Sequence, residues 1–400
     1  MLDAYIYDGL RSPFGRSGGS LAGVRPDDLL AGVMRPLLER SGFSSKNVDD
    51  VIVGCANQAG EDSRCVARHA ALLAGMPVEI PGTVIQRNCG SGLGALVSAA
   101  HAITCSEADV IVAGGVESMS RSPFVIGKAE RPYNRQLDWY DSALGARFPN
   151  PKIESEYGDD TMPQTADNLA REYQLSREDC DAFAARSQAG WSKAHNAKFF
   201  ADEVTAITVP GGRKQPDKMI DTDEHPRPDT SPDSLAKLRT LNPDGVTTAG
   251  NASGTNDGAV AMIVAGKKSG EAAGLKPVAR IVSSAVAGVP PRIMGYGPVP
   301  ASQKALDRAG LTLADIDVIE INEAFAAQVL ACLNGMNLAF DDERVNPNGG
   351  AIAIGHPLGA SGGRLALTAI NQLKKTGGKY ALVTMCIGVG QGIAVVLESM

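Results

Sequence analysis

The chain has 400 residues, is 44% hydrophobic and only 5% aromatic, and carries a net charge of -7. That length supports two or three domains, and the acidic balance provides no global basic field for nucleic acid. The seven cysteines are odd in number and form no C-x-x-C pair, which argues against a disulfide framework and for a reducing cytoplasm.

The N-terminal MLDAYIYDGLRSP is strand-like and lacks the basic and apolar regions of a secretion signal. No apolar run reaches transmembrane length. The expectation is a cytoplasmic protein without a membrane or nucleic-acid partner. Residues 51–100 then run strand (VIVG), polar turn (CANQAGEDS), helix (RCVARHAALLAGM), strand (PGTVI), glycine turn (NCGSG) and helix (LGALVSAAHAI). Cys65 and His69 lie four apart on the first of these helices. No second pair completes a metal site, so they read as packed helix residues.

A different composition fills residues 119–248, which are richer in charge and proline, as in RPYNRQLDWYD and DTDEHPRPDTSPDS. Within it one amphipathic helical stretch, TADNLAREYQLSREDCDAFAARSQAGWSKAHNA, should break at Gln174-Leu175-Ser176, with Ser176 as an N-cap and Asp179 in the next turn. The region reads as an excursion from the first domain that lies over a site.

Residues 318–371 repeat the earlier order: strand (VIEI), polar turn (NEAF), helix (AAQVLACLNGM), a stretch ending in VNPNGGAIAI, glycine turn (GHPLGASGG) and helix (RLALTAIN). Cys55 to Cys89 spans 34 residues, as does Asn322 to His356. Each half opens with a strand-like segment, AYIYDGLRSP or ARIVSSAVAG, and adds another strand, DVIVAGG or YALVTMC. Two similar α/β units are expected, their helices covering mixed sheets whose buried strands read as apolar runs. The expected division is 1–118 plus 249–275, an inserted 119–248, and 276–400.

The turns carry the candidate chemistry. In QRNCGSGLGA, Gly90, Gly92 and Ala95 fit a loose dinucleotide-binding pattern. The same turn places Cys89 just before a helix, where unpaired N–H groups favour a thiolate nucleophile, although a lone cysteine there is more often a small core residue. His356 occupies the matching turn of the second half, where a helix start disfavours imidazolium and keeps the ring neutral. Cys386 ends an apolar strand, and the Gly388 N–H beyond it can pair with that of Cys89 as an oxyanion hole. Asn322 leaves the VIEI strand, placed to hold a water or cap a helix, with Glu323 behind it. Together these residues suit two proton transfers around a covalent thioester.

In order along nearly the whole chain, NCGSG, GGVESMS (114–120), TAGNASGTNDGA (248–259), NEAF, NPNGGAIAIGHPLGASG and CIGVGQG resemble the thiolases. The resemblance implies two five-layered α/β/α/β/α halves with an inserted loop domain, a homodimer or homotetramer, coenzyme A and acyl-CoA as substrates, no permanently bound cofactor and no metal. It implies that Cys89 is acylated, that His356 activates Cys89 or the coenzyme A thiol, and that Cys386 moves the α-carbon proton. Asn322, through a water, and His356 would form one oxyanion hole, and the Cys89 and Gly388 N–H groups the other. Ser253 would lie near the pantetheine arm, Ala249 would also take part in coenzyme A binding, Met162, Ala324 and Phe325 would wall the pocket, and Arg227 and Ser234 would meet the nucleotide end.

Three stretches, GCANQAGEDSRCVARHAALLAGMP (54–77), ESMSRSPFVIGKAE (117–130) and EYGDDTMPQTADNLA (156–170), are similar to the bacterial 3-oxoadipyl-CoA thiolases of aromatic catabolism. That group implies a cation for the free carboxylate of the substrate, with Arg121, Lys128, Arg131, Arg135 and Arg147 as candidates. It also implies leucine where Asn88 stands, and Asn88-Cys89-Gly90 is similar instead to acetoacetyl-CoA thiolases. Thr161-Met162-Pro163 in turn departs from the His-Met-Gly of that acetoacetyl type. A broad 3-ketoacyl-CoA thiolase and, in another class, an NAD-dependent dehydrogenase are the alternatives. Asp109 precedes its strand rather than ending one, which counts against the dehydrogenase.

Overall fold

The computed structural model describes residues 2–212 and 215–400. The strands of the first half are β1 (Ala4–Arg11), β2 (Gly15–Arg16), β3 (Asp50–Gly54), β4 (Thr83–Ile85) and β5 (Val110–Ser118). The excursion adds β6 (Phe124–Ile126), β7 (Trp139–Asp141), β8 (Ile207–Val209) and β9 (Lys218–Ile220), and β10 (Asn256–Ala265) returns to the first half. The second half supplies β11 (Ala279–Gly288), β12 (Val318–Ile321), β13 (Tyr380–Ile387) and β14 (Gln391–Ser399).

Repetition in the sequence becomes repetition in the sheet. The order β12-β13-β14-β11-β1-β10-β5-β3-β4 reads outward from its middle as two matching series. In each, an opening strand pairs antiparallel with a late strand, which pairs antiparallel with a buried apolar strand, which pairs parallel with the strand leading to the polar turn. β1 and β11 join the halves antiparallel through Ala4–Ile281, Tyr5–Arg280 and Ile6–Ala279. β5 and β10 are buried at every position, as expected of strands covered on both faces.

The match fails at the margin. The second-half partner of β4 shrinks to a single bridge, Ile319–Val345. After it Pro347 removes a ladder donor and Gly349 turns at φ +78, so Ala351–Ile354 forms a short helix instead of a strand.

Helices Ser91–Thr104 and Leu358–Thr376 form a central layer that contacts strands of both halves. Their apolar faces share one core with Ile52, Ile111, Met262, Val383 and Val395. Other helices cover the outer faces of the two sheet halves. The central helices meet at their N-termini through glycine: a Cβ on Gly92 would collide with the Gly359 carbonyl oxygen, and one on Gly359 with the Val116 carbonyl oxygen. Gly92 therefore lets two backbones touch, and Gly90 leaves room for the Ile387 and Ile393 side chains; both are packing residues, and the dinucleotide-loop reading of this turn falls.

The excursion contains the hairpins β6–β7 and β8–β9 and helices Met162–Glu172 and Arg177–Asn196. The expected break falls between those helices. Gln174 sits at φ +54, the Ser176 Oγ accepts from the Asp179 N–H at 3.0 Å, and the Asp179 carboxylate accepts from the Ser176 N–H at 3.1 Å. Fully buried Arg11 anchors the region to β1, donating to Glu203 at 2.8 Å and Asp223 at 2.7 Å. Among the described residues no helix is long and apolar enough to cross a membrane.

Candidate active site

Each candidate side chain sits where a strand gives way to a turn. The first half delivers Cys89 in a turn closed by the Gly90 N–H on the Arg87 carbonyl at 2.9 Å, one residue before the N-cap of the Ser91–Thr104 helix. The second half delivers Asn322 after β12, His356 just before the Leu358–Thr376 helix, Cys386 near the end of β13, and Gly388 in the following hairpin turn.

His356 and Asn322 meet. The Asn322 Nδ2 lies 3.3 Å from the His356 Nε2, and the His356 Nδ1 lies 2.6 Å from the Ser361 Oγ. Ser361 donates its one hydroxyl proton to the Pro357 carbonyl at 2.9 Å. The serine oxygen must then accept from Nδ1–H, which leaves the Nε2 lone pair facing Asn322 and free to take a proton. Burial, reinforced by the Arg364 cation, lowers the His356 pKa to about 4, so the ring is neutral as expected. The Asn322 Oδ1 is buried without a hydrogen-bond partner among the described residues, the feature that a bound water would satisfy.

Charge on Cys89 would oppose ionisation of Cys386. Burial is the main cause that raises the Cys386 thiol well above its ordinary value. The N–H dipoles of Gly388 and of Cys89 itself act to lower the Cys89 pKa. They do not make it a thiolate. Although the side chain keeps partial exposure, desolvation outweighs the two donors and, with a small push from Glu117, raises the pKa to about 11. The expected helix-start activation is corrected accordingly: in the free protein both Cys89 and His356 are uncharged near neutrality.

The pocket-wall candidates surround this centre. The Met162 sulfur lies 3.8 Å from where a Gly388 Cβ would be. Ala324 and Phe325 are buried, the Ala324 carbonyl accepts the Ser253 N–H at 2.9 Å, and Ala252 bridges Phe325. The TAGNASG loop thus lies along the NEAF turn, with Ala249 exposed on its outer side. Arg227 and Ser234 are exposed and have no contact with the cysteine pair. The Arg227 N–H donates to the Gln188 side chain at 2.8 Å, and the Ser234 Oγ donates to the Ser231 carbonyl at 2.8 Å. Leu235 and Leu238 pack on Gly250, which sets the Ser234 segment beside the Ser253 loop.

Three supports went unread in the sequence. Buried Glu117 accepts the N–H groups of Ala56, Asn57 and Gly359, tying the polar turn of one half to the histidine turn of the other, and burial raises its pKa to about 7. The Asn256 Oδ1 accepts the His356 N–H at 2.9 Å. Ser361 sets the ring tautomer. An acid inside an otherwise apolar strand was the available signal for Glu117. Glu323 stays behind the centre, accepting from Ser187, Asn346 and Ile352. Cys65 and His69 do not converge: the Cys65 thiol faces the Gly82 carbonyl at 3.2 Å and the His69 ring lies 4.0 Å from Asp27.

Residues 4–268 match the model of the thiolase N-terminal domain and residues 275–399 that of the thiolase C-terminal domain. The chain belongs to the thiolase family. It is 54% identical to a beta-ketoadipyl-CoA thiolase of Acinetobacter baylyi, with all of both chains covered. It is 53% identical to a 3-oxoadipyl-CoA/3-oxo-5,6-dehydrosuberyl-CoA thiolase of Escherichia coli K12, again over all of both chains. The structure superposes on human mitochondrial 3-ketoacyl-CoA thiolase in complex with CoA at a TM-score of 0.91 and 40% identity, covering 100% of this chain and 98% of the human one. This thiolase is an acyltransferase, and coenzyme A enters the family's chemistry as a substrate. The dehydrogenase alternative is excluded by that membership and by the packing role of Gly90 and Gly92.

Proposed function

We propose that this thiolase cleaves 3-oxoadipyl-CoA with coenzyme A to acetyl-CoA and succinyl-CoA. The observation that carries the chemistry is the pairing of a neutral His356 with Asn322, in a turn that meets the Cys89 turn through Gly92 and Gly359. The substrate rests on the similarity to 3-oxoadipyl-CoA thiolases at 53–54% identity.

In this reading the His356 Nε2 takes the Cys89 proton as the sulfur attacks the keto carbon. The developing oxyanion meets the Cys89 and Gly388 N–H groups. Breaking the C–C bond leaves succinyl on Cys89 and the enolate of acetyl-CoA. The enolate oxygen is held by imidazolium and an Asn322-bound water while Cys386 protonates its carbon. As acetyl-CoA leaves, the imidazolium returns its proton to the Cys386 thiolate, which resets both groups. Neutral His356 then deprotonates the incoming coenzyme A thiol, whose sulfur takes the succinyl group, and the released Cys89 recovers the proton from His356. Two donor sets are needed because charge appears on two different oxygens. Ser253, Ala249, Met162, Ala324 and Phe325 line the path for pantetheine and acyl chain, and Arg227 and Ser234 meet the nucleotide end.

The same reading divides the chain into 1–118 plus 249–275, the inserted 119–248, and 276–400, and places the protein in the cytoplasm as a homodimer or homotetramer. The unpaired outer edge of β4, with exposed Leu72, Leu73 and Val78 nearby in the chain, supports association of copies.

Thiolysis of 3-oxoadipyl-CoA and acetoacetyl-CoA under identical conditions tests the substrate. A higher kcat/KM on 3-oxoadipyl-CoA is expected, and a higher value on acetoacetyl-CoA would reject it. Acetyl-CoA alone should add one acetyl group to Cys89, read by mass spectrometry of peptides. Acetylation elsewhere would sink the mechanism.

A further inference from the structure

The succinyl group left on Cys89 ends in a carboxylate, two methylenes beyond the thioester carbonyl. Resting on the 3-oxoadipyl-CoA reading, we propose that Arg147 binds this distal carboxylate and makes the enzyme selective for dicarboxylic acyl thioesters. A cavity of about 320 Å³ opens between the nucleophile turn and the excursion, lined by Ala56, Gln86, Val125, Arg147 and Phe148 among others. Gln86 connects it to the reacting centre, because its Nε2 donates to the Asn88 Oδ1 at 3.0 Å and Asn88 precedes Cys89. Ala56 connects it from the other side. Its N–H is held by Glu117, which also holds Gly359 in the histidine turn.

Among the described residues Arg147 is the one cation that lines this space. Its Nη1 donates to the Ser142 carbonyl at 2.8 Å and approaches the Asn57 Oδ1 at 3.5 Å, which fixes the plane of the guanidinium. Its Nε and Nη2 make no hydrogen bond with any described residue, and no described carboxylate lies within ion-pair distance. Asp62 feels the charge through space but accepts the Gly60 N–H at 3.0 Å instead of pairing. A half-buried guanidinium with an unused edge is matched by a planar carboxylate, which it can hold through two parallel N–H donors. Val125, Phe148 and Ala56 offer apolar surface to the methylenes. The other basic candidates do not serve. Arg121 is spent on Glu61 at 2.7 Å, and Lys128, Arg131 and Arg135 are exposed outside the cavity.

The test measures thiolysis of 3-oxoadipyl-CoA and of 3-oxohexanoyl-CoA, a substrate of equal chain length ending in methyl. The full-length enzyme is compared with Arg147→Gln and Arg147→Lys. The kcat/KM ratio of the first substrate to the second should fall about 100-fold in Arg147→Gln, the loss of two charge-assisted hydrogen bonds. Arg147→Lys, which keeps the charge without the fork, should give an intermediate ratio. A ratio unchanged in both variants, even if both rates drop together, would overturn the assignment and leave the substrate reading standing. A wild-type enzyme that fails to cleave 3-oxoadipyl-CoA would overturn both.

Discussion

The Asn88 side-chain amide donates to the Gly388 carbonyl at 3.3 Å, joining the nucleophile turn of one half to the hairpin of the other. Asn88 also sits at φ +44, a left-handed conformation that asparagine tolerates and branched aliphatic residues resist. The leucine implied by the 3-oxoadipyl-CoA group is thus replaced by a residue with its own structural work. Asn88 braces Gly388, whose N–H dipole acts to lower the Cys89 pKa. Asn88→Leu should destabilise the protein by roughly 2 kcal/mol, from left-handed strain and one lost hydrogen bond. It should also slow acetylation of Cys89. Urea denaturation and peptide mass spectrometry read the two effects, and an unchanged midpoint would remove the bracing role.

The two catalytic candidates are uncharged together, which gives the pH dependence its sign. The Cys89 pKa is raised to about 11, so its thiolate fraction in the free enzyme grows only as pH climbs toward that value. Iodoacetamide labelling of Cys89 should therefore keep rising from pH 7 to pH 10. A plateau near pH 8 would mean an activated thiolate at rest. His356 runs the other way. Its folded pKa is depressed to about 4 from 6.5, so its contribution to stability is present above pH 6.5 and lost as pH falls through 4. That contribution amounts to roughly 3 kcal/mol. The stability difference between wild type and His356→Gln should shrink by up to that amount between pH 7 and pH 4.

Apolar runs and matched turn spacing carried the strand order, because a buried strand or a helix core needs a pattern that composition alone can display. Cys89, Asn322, His356 and Cys386 were legible for a related reason: polar residues at the exits of apolar strands stand out. The identity of Asn88 was visible, but its backbone conformation was not. The Cys89 pKa was misjudged because helix-start donors are local and readable, whereas desolvation depends on what the other half of the molecule packs against the sulfur. Ser361, Asn256 and Glu117 act across long separations in sequence or through a side-chain tautomer, which no spacing rule encodes. The guanidinium edge of Arg147 became distinguishable from four other basic residues only once pairing and burial were known.

Cys386 is assigned a carbon-bound proton rather than the thioester, and its deeper burial separates it from the partly exposed Cys89. Cys386→Ser should lower the rate of C–C bond cleavage far more than the rate at which acetyl-CoA labels Cys89, since labelling needs no proton at the α-carbon. Serine, with a far less acidic group than a thiol, is a poor substitute for that transfer. Rapid-quench measurement of both half-reactions checks this, and equal losses would take the proton transfer away from Cys386.

Beneath the histidine, Arg364 of the central helix donates to the Glu320 carboxylate at 3.0 Å with both side chains essentially buried. The pair is incompletely satisfied: Glu320 Oε1 and Arg364 Nε and Nη2 have no partner among the described residues. Burial raises the Glu320 pKa to about 8 despite the adjacent guanidinium. Such a pair contributes little net stability, yet removing one member strands the other. Near pH 7 Arg364→Met leaves a buried, protonated Glu320 without its partner and should destabilise by roughly 1–3 kcal/mol, and adding Glu320→Leu should recover most of the loss. The double variant also removes a cation that helps depress the His356 pKa. Its acid limb of activity should consequently move to higher pH, because an imidazole freed of that repulsion is protonated sooner as pH falls. Denaturation curves for the single and double variants, with a pH–rate profile of the double, test both parts. A double variant as unstable as Arg364→Met alone would mean that the arginine stabilises through packing rather than through its charge.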